Sequence, residues 1–171
     1  MMMNIEYKAY MFATAAHAAI GQKRKYTNEP YISHCVAVAS IFKKHYYWAT
    51  PNQIAVAYLH DTLEDTFIEE SELFLFFGKE VCEGVKFLTN TSKDNGFNRA
   101  TRHSMDIDRL AKAPGYVQAI KYADIYHNCS SIKQYDPGFA KQYLKEKREL
   151  ISKVNNVPQS LYNIVREVIQ E

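Results

Sequence analysis

Between Thr50 and Thr66 the chain reads TPNQIAVAYLHDTLEDT, and this stretch constrains the fold more than any other. Thr50 offers an N-cap, Pro51 fills the first helical position, where its missing N–H costs nothing, and Gln53 completes a capping box. The helix begun there runs through the apolar Ile54-Ala55-Val56-Ala57 and ends among His60, Asp61, Glu64 and Asp65, with Leu59 and Leu63 interleaved. Its N-terminal side is too oily for a solvated face, and three carboxylates do not suit a buried one. A helix of this kind leads from a core into a polar site.

The rest of the chain shows the same 3.6-residue habit. Residues 7–20 are Ala-rich and helical in spacing, and Gly21 closes them. A polar loop from Gly21 to Pro30 leads into a helix carrying Ile32, Val36, Ala39 and Phe42 on one side. Thr66 and Glu69 repeat the capping-box spacing for a helix to about Phe77, and a further helix follows Gly78. TSKDNGF (91–97) reads as a loop, and residues 98–113 as a charged helix stopped by Pro114-Gly115. A helix over 116–135 follows, then one capped by Asp136-Pro137 that runs to about Val154. Pro158 opens the last, with Leu161, Ile164, Val165 and Val168 as its apolar stripe. β-branched runs are short and none alternates cleanly. The expected fold is all-α, a bundle of roughly seven or eight helices in one domain spanning the chain.

Bulk properties exclude several function classes. The 171 residues carry 21 basic against 19 acidic side chains, with no block of like charge, so binding of nucleic acid by bulk field is not expected. Cys35, Cys82 and Cys129 are odd in number and form no CxxC pair, which reads as buried thiols in a reducing compartment. The N-terminus MMMNIEYKAY has no apolar run of signal-peptide length, and no later stretch has the length of a membrane span. A cytoplasmic protein without membrane association is expected.

Three places interrupt the apolar pattern with metal-ligand residue types. His34 lies between Ile32 and Val36. His60-Asp61 comes 26 positions later. Asp124 shares a helix face with Val117 and Ile120, and His127, Asn128 and Ser131 extend that face at spacings of three and four. Singly, each has a duller reading as a structural histidine or a cap. As a set they make a nitrogen-and-oxygen site without thiolate, suited to Mn²⁺, with Fe²⁺, Co²⁺ or Zn²⁺ as alternatives. Such an ion lowers the pKa of a water and polarises a phosphoryl oxygen.

His34, His60-Asp61 and Asp124 resemble the H…HD…D signature of the HD-domain metal-dependent phosphohydrolases. In order, AHAAIGQKRK (16–25), EPYISH (29–34), YLHDTLEDT (58–66), Phe77-Gly78 and IKYADIYHN (120–128) resemble the hydrolase domain of the RelA/SpoT alarmone enzymes and the small stand-alone alarmone hydrolases. The likeness is good over residues 7–135 and looser through DPGFAKQYLKEK. It implies Mn²⁺-dependent removal of the 3′-pyrophosphate of ppGpp and pppGpp. The chain is expected to hold that hydrolase domain without a synthetase or regulatory domain.

The same resemblance implies roles for individual residues. His34, His60, Asp61 and Asp124 would hold the metal, and Glu64 and Asp65 would orient or deprotonate the attacking water. Glu64 follows Asp61 by three residues and Asp65 follows it by four, so a continuing helix carries both over one face. Arg24 and Lys25 would contact base and phosphate, with Asn128 and Ser131 on the nucleotide. Arg99, Arg102 and Lys147 read better as solvated charges. Two positions depart from the family pattern: Ile125 and Ser130 stand where many members have arginine. They leave open a different phosphorylated nucleotide, an adenosine alarmone or the 2′-phosphate of NADPH, or a nucleotide-binding or toxin-neutralising module.

Overall fold

A computed structural model of the protein describes residues 4–90 and 96–170. Residues 91–95 of the expected loop lie outside the described residues. Among the described residues the only regular structure is helical: α1 (Ile5–Ala19), α2 (Ile32–His45), α3 (Pro51–Leu59), α4 (Thr62–Asp65), α5 (Glu70–Leu88), α6 (Arg99–Ala111), α7 (Gly115–Tyr135), α8 (Pro137–Lys153) and α9 (Gln159–Gln170). Eight are of ordinary length and α4 is a single turn, so the all-α expectation holds. No helix among the described residues is long and apolar enough to cross a membrane.

The helices fall into two compact units, Met1–Thr89 and Asn90–Glu171. In the first, α3 is the central element and packs against α1, α2 and α5. Its Thr50 Oγ1 accepts from Gln53 N, and Gln53 Oε1 accepts from Thr50 N, which closes the expected capping box. Ile54, Ala55, Val56, Ala57 and Leu59 are all buried, as an all-round apolar helix must be. In the second unit α7 packs against α6, α8 and α9, and buries Val117, Ile120, Tyr122, Ile125 and Cys129. Cys35, Cys82 and Cys129 are buried and none forms a disulfide.

Punctuation by glycine behaves as expected. Gly21 ends α1 with φ 63°, and its N–H bonds to Ala18 O. Gly78 breaks α5 at φ 79°, ψ 179°, a conformation open in practice to glycine alone.

Three expectations need correction. The buried face of α2 comprises His34, Cys35, Val38, Ala39 and Phe42, while Val36 is exposed. Counting His34 as polar rotates the inferred face, because the imidazole is itself part of the inward stripe. The reciprocal cap before α5 is formed by Glu69 and Glu72, not by Thr66 and Glu69. Glu69 N donates to Glu72 Oε2, while Thr66 Oγ1 accepts from Ile68 N and stabilises the turn ahead of it. In α9 the buried stripe is Leu161, Val165 and Ile169, with Ile164 and Val168 only half-buried, since a four-residue step keeps one face better than three.

Candidate metal centre

His34 enters the first unit from the inward face of α2 and is fully buried. His60 stands directly after α3 and is 2% exposed. Its Nδ1 lies 2.9 Å from the carbonyl oxygen of Ala57. A carbonyl can only accept, so Nδ1 donates to it, and Nε2 is the nitrogen left to face an ion. That Nε2 lies 3.0 Å from Asp61 Oδ2, and His34 Nε2 lies 3.6 Å from the same oxygen. The ligand atoms of His34, His60 and Asp61 all fall within 4.8 Å of one another. Two imidazole nitrogens and a carboxylate oxygen converging on one point are a donor set for a borderline divalent cation.

The backbone at Asp61 makes this convergence possible. α3 stops at Leu59, Asp61 adopts φ −103°, ψ −1°, and α4 restarts at Thr62. The helix expected to continue unbroken is therefore interrupted between Leu59 and Thr62, where Asp61 departs from regular helical angles. Thr62 Oγ1 caps the lost turn by donating to Leu59 O, and Asp65 N still bonds to Asp61 O at 3.0 Å. Helical spacing survives locally, and Glu64 and Asp65 remain one turn beyond Asp61, both half-buried.

Three residues around the centre had no assigned role in the sequence reading. Tyr31 donates its hydroxyl hydrogen to Asp61 Oδ2 at 2.6 Å. Gln22 Nε2 donates to Asp65 Oδ2 at 3.0 Å, while its Oε1 lies 2.6 Å from His17 Nδ1. His17 is 1% exposed, and its ring packs on that of Tyr31 at 4.7 Å. Burial lowers the basicity of His17, against the pull of the Gln22 hydrogen bond. The available signal was position alone: all three lie inside the blocks AHAAIGQKRK and EPYISH.

Arg24 and Lys25 lie in the loop between α1 and α2. Arg24 N donates to Glu29 O, Asn28 N donates to Arg24 O, and a bridge joins Lys23 and Pro30. The Arg24 guanidinium carbon lies 5.9 Å from the Tyr31 ring centroid, so it sits on the residue that touches Asp61. Lys25 is exposed and its Nζ lies 4.8 Å from the centre of the Tyr26 ring.

In the second unit Asp124 is 7% exposed. Its Oδ2 accepts from Lys121 Nζ at 2.8 Å and its Oδ1 from Asn128 Nδ2 at 2.5 Å. Ser131 Oγ donates to Asn128 O, one turn back. The expected run Asp124, Asn128, Ser131 is thus one connected face of α7, with Lys121 an unforeseen member. Ile125 is fully buried, whereas Ser130 is exposed and bonded to His127 O. Arg99 is not merely solvated: Nε and Nη2 grip both oxygens of Glu146 at 2.6 and 2.9 Å. Nor is Lys147, whose amine burial pushes down to about 8, with Lys121 adding to the effect. Burial raises the Cys129 thiol to about 11, which makes it inert as a nucleophile.

Comparison with known proteins bears on this geometry. Residues 9–151 match the family model described as HD domain. The chain belongs to the HD-domain family. This HD domain is 32% identical over 153 residues to a Synechocystis protein named "Probable guanosine-3′,5′-bis(diphosphate) 3′-pyrophosphohydrolase", covering 87% of the chain and 19% of the relative. It is 31% identical over 157 residues to the "Probable GTP diphosphokinase RSH2, chloroplastic" of Oryza sativa subsp. japonica, covering 87% of the chain and 21% of the relative. The chain therefore spans about a fifth of the length of these curated relatives. Among solved structures, a metazoan ortholog of SpoT described as hydrolysing ppGpp matches with a TM-score of 0.86 at 21% identity, over 99% of this chain and 96% of that one. At that identity the likeness speaks for the fold.

Proposed function

We propose that this HD domain hydrolyses the 3′-pyrophosphate of a guanosine nucleotide, converting ppGpp and water to GDP and pyrophosphate, and pppGpp to GTP and pyrophosphate. The convergence of His34 Nε2, His60 Nε2 and Asp61 Oδ2 carries the reading, with two further carboxylates one turn on. The Synechocystis relative's name supports the choice of nucleotide.

His34, His60 and Asp61 would hold the ion. Asp124 is proposed as a further ligand on the H…HD…D resemblance alone. The imidazole and carboxylate donors favour Mn²⁺ without requiring it. A divalent ion supplies Lewis acidity to a phosphoryl oxygen and makes water a stronger acid. Glu64 and Asp65 would orient the attacking water and accept its proton. Arg24, resting on Tyr31, would stack on the purine, and Lys25 would stand near a phosphate as a point charge. Asn128 and Ser131 are proposed contacts to the nucleotide. The buried thiols suit a reducing compartment, in keeping with a cytoplasmic enzyme.

The test is a panel of nucleotides incubated with the protein and Mn²⁺, with products resolved by chromatography. GDP and intact pyrophosphate from ppGpp are expected, and excess chelator should stop the reaction. Orthophosphate as first product, or no turnover of any 3′-pyrophosphorylated nucleotide alongside turnover of NADPH, would transfer the function to a phosphatase acting on another nucleotide.

A further inference from the structure

Four side chains of the first unit make a directional hydrogen-bond chain that ends on Asp65. Cys35 Sγ lies 3.9 Å from His17 Nε2, His17 Nδ1 lies 2.6 Å from Gln22 Oε1, and Gln22 Nε2 lies 3.0 Å from Asp65 Oδ2. With His17 neutral, as its burial favours, only one assignment of protons satisfies all three contacts. Asp65, as a carboxylate, accepts, so the nitrogen end of the Gln22 amide must face it. The oxygen end then faces His17 and can only accept, so His17 Nδ1 must carry a hydrogen. Its Nε2 is left with a lone pair, directed at a thiol that can donate.

We propose that His17 and Gln22 are positioning residues: buried His17 locks the Gln22 amide with its NH₂ toward Asp65, and so fixes which oxygen of that carboxylate stays available to take a proton. The inference rests on the catalytic role proposed for Asp65. An amide has two near-isosteric orientations, and the reversed one would set Gln22 Oε1 against a carboxylate oxygen. The Nδ1–H of His17 excludes that orientation. Gln22 follows Gly21 in the loop, where its N–H bonds to His17 O and its carbonyl accepts from Tyr31 N; these fix its backbone but not the rotation of its side-chain amide. His17 sits on a regular helix with no room to turn, since it is 1% exposed and packed on Tyr31. His17, fixed on its helix, therefore orients the Gln22 amide, and Gln22 in turn orients Asp65.

Two measurements test this. The first uses no substrate: a long-range ¹H–¹⁵N spectrum of the metal-free protein, with His17 assigned by its loss in His17→Asn. Protonated Nδ1 and bare Nε2 are expected, and the opposite tautomer overturns the proposal. The second uses turnover of ppGpp. Gln22→Leu should lower kcat about 10- to 100-fold, the usual scale for an outer-shell partner. KM and bound Mn²⁺ should stay at parent values. His17→Leu should lose as much, and the double variant should lose no more than either single one, because both break one chain. His17→Asn should recover most of the rate, since its amide N–H falls near the place of Nδ1. Circular dichroism melts show which variants are folded, and Gln22→Leu, in a loop, serves if His17→Leu unfolds. Additive losses, a raised KM, lost metal or failure of His17→Asn to rescue would each overturn the proposal. If the parent protein turns over no 3′-pyrophosphorylated nucleotide, the proposed substrate falls, and the tautomer alone decides this inference.

Discussion

Tyr31 and Asp61 are joined by a 2.6 Å hydrogen bond in which the phenol donates to Oδ2, the oxygen that also faces His34 and His60. The contact fixes the rotation of the carboxylate, so Tyr31 orients the centre. Tyr31→Phe should weaken Mn²⁺ binding about 10- to 100-fold, read by titration calorimetry, with the helical content intact. An unchanged affinity would show that Asp61 is held by its backbone alone.

The acidic residues on either side of Thr62 should separate by function. Asp61→Ala should lose metal. Glu64→Gln and Asp65→Asn should keep it while kcat falls by about 10² to 10⁴, the range for removal of a positioned acid–base group. Metal analysis of each purified variant beside its rate decides the matter. Loss of metal from the Glu64 and Asp65 variants, with normal turnover per ion bound, would make them ligands instead.

Stability of the second unit should depend on acid through Glu146. The Arg99 guanidinium holds its carboxyl down to about 2 from an ordinary 4.5, helped by Gln142 Nε2 at 2.8 Å. A depressed carboxyl pKa stabilises the folded state above the unfolded value, and that contribution disappears as pH falls through the folded one. Half of the Arg99 side chain is exposed, so the pair is discounted to about 1–2 kcal/mol. Glu146→Gln should therefore melt a few degrees lower at pH 7, and the gap to the parent should close between pH 4.5 and about 2. A gap that persists at pH 2 would point to packing rather than charge.

Gly78 gives a prediction free of side-chain contacts. A Cβ placed there meets nothing within 4 Å, so the only penalty for alanine is the φ of 79°. Gly78→Ala should destabilise the first unit by about 1–3 kcal/mol in urea titration. A neutral result would mean that the break in α5 relaxes.

Much of the fold was legible in the sequence because helix ends are written locally. Thr50-Pro51-Gln53, Asp136-Pro137, Gly21 and Gly78 each act within a few residues of themselves, through a cap or a backbone angle. The candidate ligands were legible for a related reason: histidine and carboxylate on otherwise apolar helices are chemically out of place wherever the chain folds.

What the sequence could not specify depends on residues distant along the chain. The inward face of α2 is one such case, because His34 counts as polar until a second imidazole and a carboxylate are seen around it. The grip of Arg99 on Glu146 and the bond from Gln22 to Asp65 span 47 and 43 residues. No periodicity encodes such pairs. The sequence by itself determined where helices start and stop and which side chains are candidates for chemistry, since those follow from short-range backbone physics. Tertiary structure alone decided that His60 turns at the end of α3 to meet Asp61 and His34, and that Tyr31, His17 and Gln22 hold the acidic groups in place. Hydrogen bonds between buried side chains form only after packing has brought their donors and acceptors within 3 Å.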